Sequence, residues 1–389
     1  MTEQEERIDR IVREFDDQGW HRTGTEVDRR SAAWLAERVR KCGAVAELEP
    51  FSLSRVVPRS AYVEVEGRRI EGLPLFDGGF TPPEGVSGSF GPLGSSTEIG
   101  LTEGPPNAAA AGPLGDARRS AQHQAIVSIT RGRSPGLAPS NARTFTEPFG
   151  PPVLQVSSEE GGWLTERAAI GTPARVVAHA EREAAEAFNV VACVAGGQPD
   201  IAPLVVMTPR SGWWQCASER GGGMACWLES MRSVAAAPVE RDVFFVASSG
   251  HELGHLGLES YINHRSTLAA GALAWFHFGA NIGASYGPGG RLATSDDELE
   301  RLALRELSER EAGSVTTAPR GWVPNGEAHN IHIRGGRYVS IVGGNALFHL
   351  ESDRWPDAIN TGAVARYATS FARLITGLAS GAIRMETAA

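Results

Sequence analysis

The sequence predicts an α/β protein, a mixed central sheet with helices on both faces, interrupted by a β-rich inserted domain. Three observations predict it. From Phe188 onward the short apolar runs NVVACVAG, PLVVMTP, DVFFVASSG and RYVSIVGG alternate with helical stretches, as strands do when crossover helices cover both faces of their sheet. Two amphipathic segments open the chain. Between about residues 67 and 152 the text is dense in Gly and Pro, yet it holds the buried-strand runs QAIVSI and PPVLQVSS, which marks a module of strands and turns rather than a linker.

The elements follow in order. EERIDRIVREFDDQ places Ile8, Ile11, Val12 and Phe15 on one helical face, and EVDRRSAAWLAERVRKCG repeats the pattern and stops at Gly43. The polar loop GWHRTGT separates them. VAELEPFSL and SAYVEVEG read as strands. The insert is placed at residues 58–185, flanked by the two parts of the main domain, 1–57 and 186–389. In the second part MACWLESMRSVAAA, DELERLALRELSER and GAVARYATSFARLITGLAS are the expected helices. Polar residues just beyond the C-terminal ends of the strands are where a site belongs in such a sheet.

Composition narrows the function classes. A chain of 389 residues, 41% hydrophobic and 21% charged, can build a large core and a second domain. A net charge of -9, with a pI near 5.7, argues against nucleic acid as a partner, because phosphate binding needs a basic face. The start, TEQEERID, has no basic region followed by an apolar run, and no window has the apolar length of a membrane span, so the chain reads as soluble and cytoplasmic. Cys42, Cys193, Cys216 and Cys226 form no CxxC pair and are expected to be buried thiols rather than a zinc or disulfide framework.

The most distinctive letters are His251-Glu252-Leu253-Gly254-His255, the HExxH of zinc proteases. That chemistry requires a helix through both His and a third ligand beyond. Here the apolar run DVFFVASSG leads directly into His251, and Gly250, Gly254 and Gly257 weaken a helix. No Asp or Glu lies between Glu259 and Asp296, and His264 does not match the compact three-His spacing. A strand ending in a loop is the better reading.

In that form DVFFVASSGHELGHLGLESYI resembles the strand-loop segment of the co-catalytic zinc aminopeptidases, peptidase family M28, whose superfamily includes glutamate carboxypeptidase and glutaminyl cyclase. The likeness extends along the chain. Trp20-His21-Arg22-Thr23-Gly24-Thr25 is similar to the family's N-terminal loop, Phe188-Asn189-Val190-Val191 to the strand opening its catalytic half, and PPVLQVSSEEGGWL to its protease-associated insert. GGRYVSIVGGNALFHLESDRWPDAI resembles its closing segment and puts His349 at the last zinc-ligand position. CASERGGG aligns Glu219 with the metal-bridging Asp, and Glu252 keeps a ligand position. His251 stands where the family has its general-base Glu.

The pattern also breaks. Thr208-Pro209-Arg210-Ser211 replaces a loop that supplies a His and an Asp, and Ala280 stands at a third ligand position. The resemblance therefore implies one Zn²⁺ on Glu219, Glu252 and His349, with an open fourth position and His251 as proton acceptor. Arg210, Trp213, Trp214 and His277 are the candidate substrate contacts, whereas His255 reads as packing and His329 and His332 as loop residues near the last strand. The expected activity is metal-dependent hydrolysis of an amide or related C-N bond in a small molecule or short peptide. Glutaminyl-cyclase-like acyl transfer and a metal-free binding protein on the same fold are the alternatives; an oligomer is compatible with either.

Overall fold

In the computed structural model, which describes residues 1–309 and 314–385, thirteen strands form one mixed sheet. Four parallel strands make its centre, in the order Val243–Ser248, Leu204–Pro209, Ala274–Phe278 and Tyr338–Gly343. Alternation along them builds two cores at once. Leu204 and Val206 face one layer with Val12, Leu35, Trp227 and Phe371, while Val205 and Met207 face the other with Leu258, Tyr261 and Ile331. The first layer is made by the helices Glu3–Asp16, Glu26–Lys41, Ala217–Ala235 and Thr361–Ala379.

The opening helices form where the text places them. Thr2 and Glu5 close a capping box on the first, and the Thr25 hydroxyl accepts from Asp28 N–H at the start of the second. The helix at Asp297–Glu309 also matches, although Arg310, the last residue of the expected stretch, lies outside the described residues.

Residues 58–185 are joined to the rest of the sheet by a continuous ladder. VAELEPFSL and SAYVEVEG are one 21-residue strand, Val45–Val65, paired antiparallel with the 22-residue strand Pro173–Val194. This ladder runs straight through positions 57/58 and 185/186, with a single register irregularity between Pro58 and Ser60, where a missing N–H is tolerated. Past that point the strands bound a second core of Val63, Phe90, Val127, Leu154 and Val176. Of the four thiols, Cys42, Cys216 and Cys226 are buried as expected, but Cys193 is exposed. Among the described residues no helix is long and apolar enough to cross a membrane.

His21 packs on the end of the first helix. Its ring stacks on Phe15 at 3.6 Å, its Nε2 donates to Phe15 O at 3.0 Å, and burial pushes its pKa down to about 3. A neutral imidazole in the fold and an ordinary one in the unfolded chain mean that the unfolded state binds the extra proton between about pH 6.5 and 3. His21 therefore favours folding fully above pH 6.5, and that contribution is lost as pH falls toward 3. In urea melts between pH 7 and 4, His21→Gln should flatten the acid-side loss of stability; an unchanged slope rules His21 out as its source.

Candidate functional site

The central strands end together, and their C-terminal ends carry the site. Val243–Ser248 runs into a short 3-10 turn, His251–Leu253, between Gly250 and Gly254, at φ 80° and 81°. Only Gly adopts these angles without strain, so the HExxH letters form a turn and not a metal-binding helix. Leu204–Pro209 delivers Arg210 and Ser211, and Ala274–Phe278 delivers His277. Glu219 sits in the first turn of Ala217–Ala235, which can approach because Gly221, Gly222 and Gly223 lack side chains. A Cβ on Gly222 would lie 1.9 Å from the Ile282 carbonyl oxygen.

Glu219 and His349 are brought together. His349 Nδ1 donates to Pro139 O at 2.7 Å, which turns Nε2 toward Glu219 Oε1, 3.6 Å away. Both side chains are buried, and neither His349 Nε2 nor Glu219 Oε2 has a hydrogen-bond partner. Asp353 sets the helix start by accepting from Ser218 and Glu219 N–H, and burial lifts its pKa to about 7.

Glu252 faces elsewhere. One oxygen accepts from Thr23 N–H at 3.1 Å and Thr23 O–H at 2.6 Å, and the other from Ser211 O–H at 2.6 Å. Burial raises its pKa, and the Ser211 and Thr23 hydrogen bonds oppose the rise. The N-terminal loop that the sequence singled out thus binds this carboxylate.

A basic group fills the space between. The buried Arg220 guanidinium lies with Nη2 2.8 Å from Glu219 Oε1, while its Nε donates to Ser211 O at 2.6 Å. A catalytic zinc site has three protein donors held near 2.0–2.2 Å. Glu219 and His349 supply two, the third carboxylate is committed to Thr23 and Ser211, and no cluster of three His, Cys, Asp or Glu among the described residues is arranged to hold an ion. The donor set in this arrangement does not fit the metal that the resemblance implies.

His251 has a different partner, Glu327, which the sequence did not reveal. Nδ1 lies 3.4 Å from Glu327 Oε1, the same oxygen that accepts from Ser248 O–H. Glu327 is fully buried and its Oε2 is unpartnered. Burial and then the Arg220 charge hold the His251 pKa well below the usual imidazole range, so the ring is neutral near pH 7. His251 retains 9% exposure, the most open of these groups. His277 donates or accepts at Ser340 Oγ, 2.8 Å from its Nδ1, and its Nε2 is free; burial pushes its pKa to about 4. The His277 and His251 rings both come within 4 Å of where a Cβ on Gly326 would stand.

The remaining candidates have structural partners. Arg210 is buried against Asp28, 2.8 Å from Oδ1, and donates to Phe188 O at 2.5 Å, so it is no exposed substrate contact. Trp213 is buried edge-on to Phe76 and donates to Asn141. Trp214 donates to His349 O at 2.8 Å and packs edge-on to Trp20. Neither indole forms an open wall. His255 packs beside His251 at 4.7 Å and meets Asn330, as a packing role requires. Pro139, Asn141 and Ala142 bring one loop of residues 58–185 over the site, and a cavity of about 120 Å³ lined by Arg22, Thr23, Arg55, Phe76 and Glu252 adjoins it.

No family model matches the sequence, and no curated protein matches it. Solved structures do. A zinc aminopeptidase from Bacillus subtilis matches over 96% of this chain and 93% of its own, at a TM-score of 0.77 and 15% identity. A peptidase M28 precursor from Shewanella amazonensis matches over 98% and 97%, at 0.74 and 15%. The aminopeptidase from Aneurinibacillus sp. strain AM-1 matches over 96% and 94%, at 0.72 and 15%. Likeness over nearly the whole length of each chain carries the conclusion that this protein has the fold of these aminopeptidases.

Proposed function

We propose that the protein hydrolyses an amide bond in a small or short-peptide substrate, with His251 as the proton acceptor. The observation that carries this reading is the buried His251–Glu327 pair at the exit of a central strand, its imidazole neutral at pH 7 and its Nδ1 held by a carboxylate. Such a pair leaves Nε2 free to take a proton from water as it attacks a carbonyl. The Arg220 charge nearby favours negative charge developing on the substrate oxygen. Residues 58–185 belong in this reading to a protease-associated-like insert whose Pro139–Ala142 loop roofs the site and limits water. The zinc-dependent version, with the ion on Glu219, Glu252 and His349, requires Glu252 to leave Thr23 and Ser211.

A metal-free binding protein on the same fold is the second reading, and the Arg220–Glu219 pair filling the site favours it. The two separate in one experiment. The protein is incubated with peptide and aminoacyl-amide substrates, with and without chelator, and products are identified by mass. Water gained supports hydrolysis and ammonia lost indicates cyclisation. Binding without any product, in either condition, selects the non-catalytic reading.

A further inference from the structure

The site holds a cation of its own, and that is the feature the amide-hydrolase reading does not use fully. Arg220 is buried to 1% exposure and links the Ser211 loop after one central strand, through Nε to the Ser211 carbonyl, to the first turn of the next helix, through Nη2 to Glu219 Oε1. A guanidinium is planar, permanently charged and weakly hydrated, which suits it to a buried ion pair. Its charge is felt by His251 and His349, both of which it makes harder to protonate. The donors left around it are orphaned: Glu219 Oε2 and His349 Nε2 are buried without hydrogen bonds, 3.6 Å separating the imidazole from the other Glu219 oxygen. A carboxylate and an imidazole aimed at one another with free lone pairs are a half-built metal site, and the group that stands in it is Arg220.

We propose that Arg220 is the resident counter-ion of this site in place of a metal, so that the protein does not take up Zn²⁺ at Glu219 and His349, and that removing the guanidinium uncovers a zinc site there. The shared carboxylate gives the reason. Glu219 cannot bond a divalent ion while holding Arg220 at 2.8 Å, and an ion beside His349 would sit against a fixed positive charge. With Arg220 gone, Glu219 is a buried unpaired carboxylate, the state in which binding of a cation is most favoured.

The test uses zinc alone as probe and reads binding and melting temperature, so it is independent of turnover. Wild type, His349→Ala, Arg220→Met, Arg220→Lys and the double variant Arg220→Met with His349→Ala are stripped with chelator, desalted and titrated with ZnCl₂ at pH 7.5 by calorimetry and thermal melting. Wild type is expected to show no zinc uptake that His349→Ala removes. Arg220→Met should bind about one equivalent at least tenfold more tightly than wild type, with a zinc-dependent rise in melting temperature that the double variant loses. Arg220→Lys keeps the charge and should fold without gaining the site. One equivalent bound by wild type and abolished by His349→Ala would overturn the proposal, whether or not Arg220→Met folds. So would a folded Arg220→Met that takes up no zinc.

Discussion

Asp28→Ala is expected to lower the unfolding free energy by about 3–5 kcal/mol, the usual cost of removing one partner from a buried ion pair. Asp28 and Arg210 are 2.8 Å apart at 1% and 0% side-chain exposure, so solvent does not soften the loss. Asp28 also accepts from Ser249 O–H at 3.0 Å and Gly24 N–H at 2.9 Å, and Arg210 donates to its backbone carbonyl at 3.0 Å. One side chain therefore joins the start of the second helix, the N-terminal loop and the end of the central strand that carries His251. The decisive comparison is the double variant Asp28→Ala with Arg210→Met. If the penalty is an uncompensated guanidinium, removing that charge as well should recover much of the stability in urea melts. A single variant within about 1 kcal/mol of wild type would refute the account, and an unrecovered double variant would shift the cost to the Ser249 and Gly24 hydrogen bonds.

How far the sequence carried these features depends on whether each is a local pattern or a meeting of distant groups. DVFFVASSG was legible as a strand ending in a loop because five apolar letters precede Ser-Ser-Gly and glycines flank the His, and the turn at His251–Leu253 follows. The long strand Val45–Val65 was legible only in halves. Its middle alternates between exposed and half-buried positions around Pro58, so periodicity fades where only one partner strand covers it. The helix at Ala217 begins seven residues before the apolar text at Met224, since three glycines hide its start, and those glycines are what let it approach the Ile282 loop. The resemblance brought Glu219 and His349 to one place. It could not show that Glu252 turns to Thr23 and Ser211, because a carboxylate's direction is set by hydroxyls far away in the text. Arg220 was visible only as the one basic residue in ASERGGGMACW, and Glu327 as a lone acid after Asn325-Gly326; burial, not spacing, distinguishes them.

The largest effect on activity should come from His251→Ala, with kcat/KM falling about 10²–10⁴-fold and the melting temperature close to that of wild type. The imidazole makes its main contact with Glu327 at 3.4 Å and is the most exposed group of the site, so its removal perturbs packing little. Glu327→Gln tests how the pair operates. It keeps the shape and can still accept from Ser248 O–H, but it removes the charge that holds the imidazole N–H and leaves the proton acceptor less basic. If Glu327 acts only through His251, adding Glu327→Gln to His251→Ala should cost nothing further, because groups that work as a unit are not additive in kinetics. A multiplicative loss in the double variant would instead mean that Glu327, whose Oε2 is unpartnered, contacts the substrate itself. A His251→Ala enzyme that retains wild-type kcat/KM would place the proton acceptor elsewhere, with His277 and its free Nε2 the next group to replace.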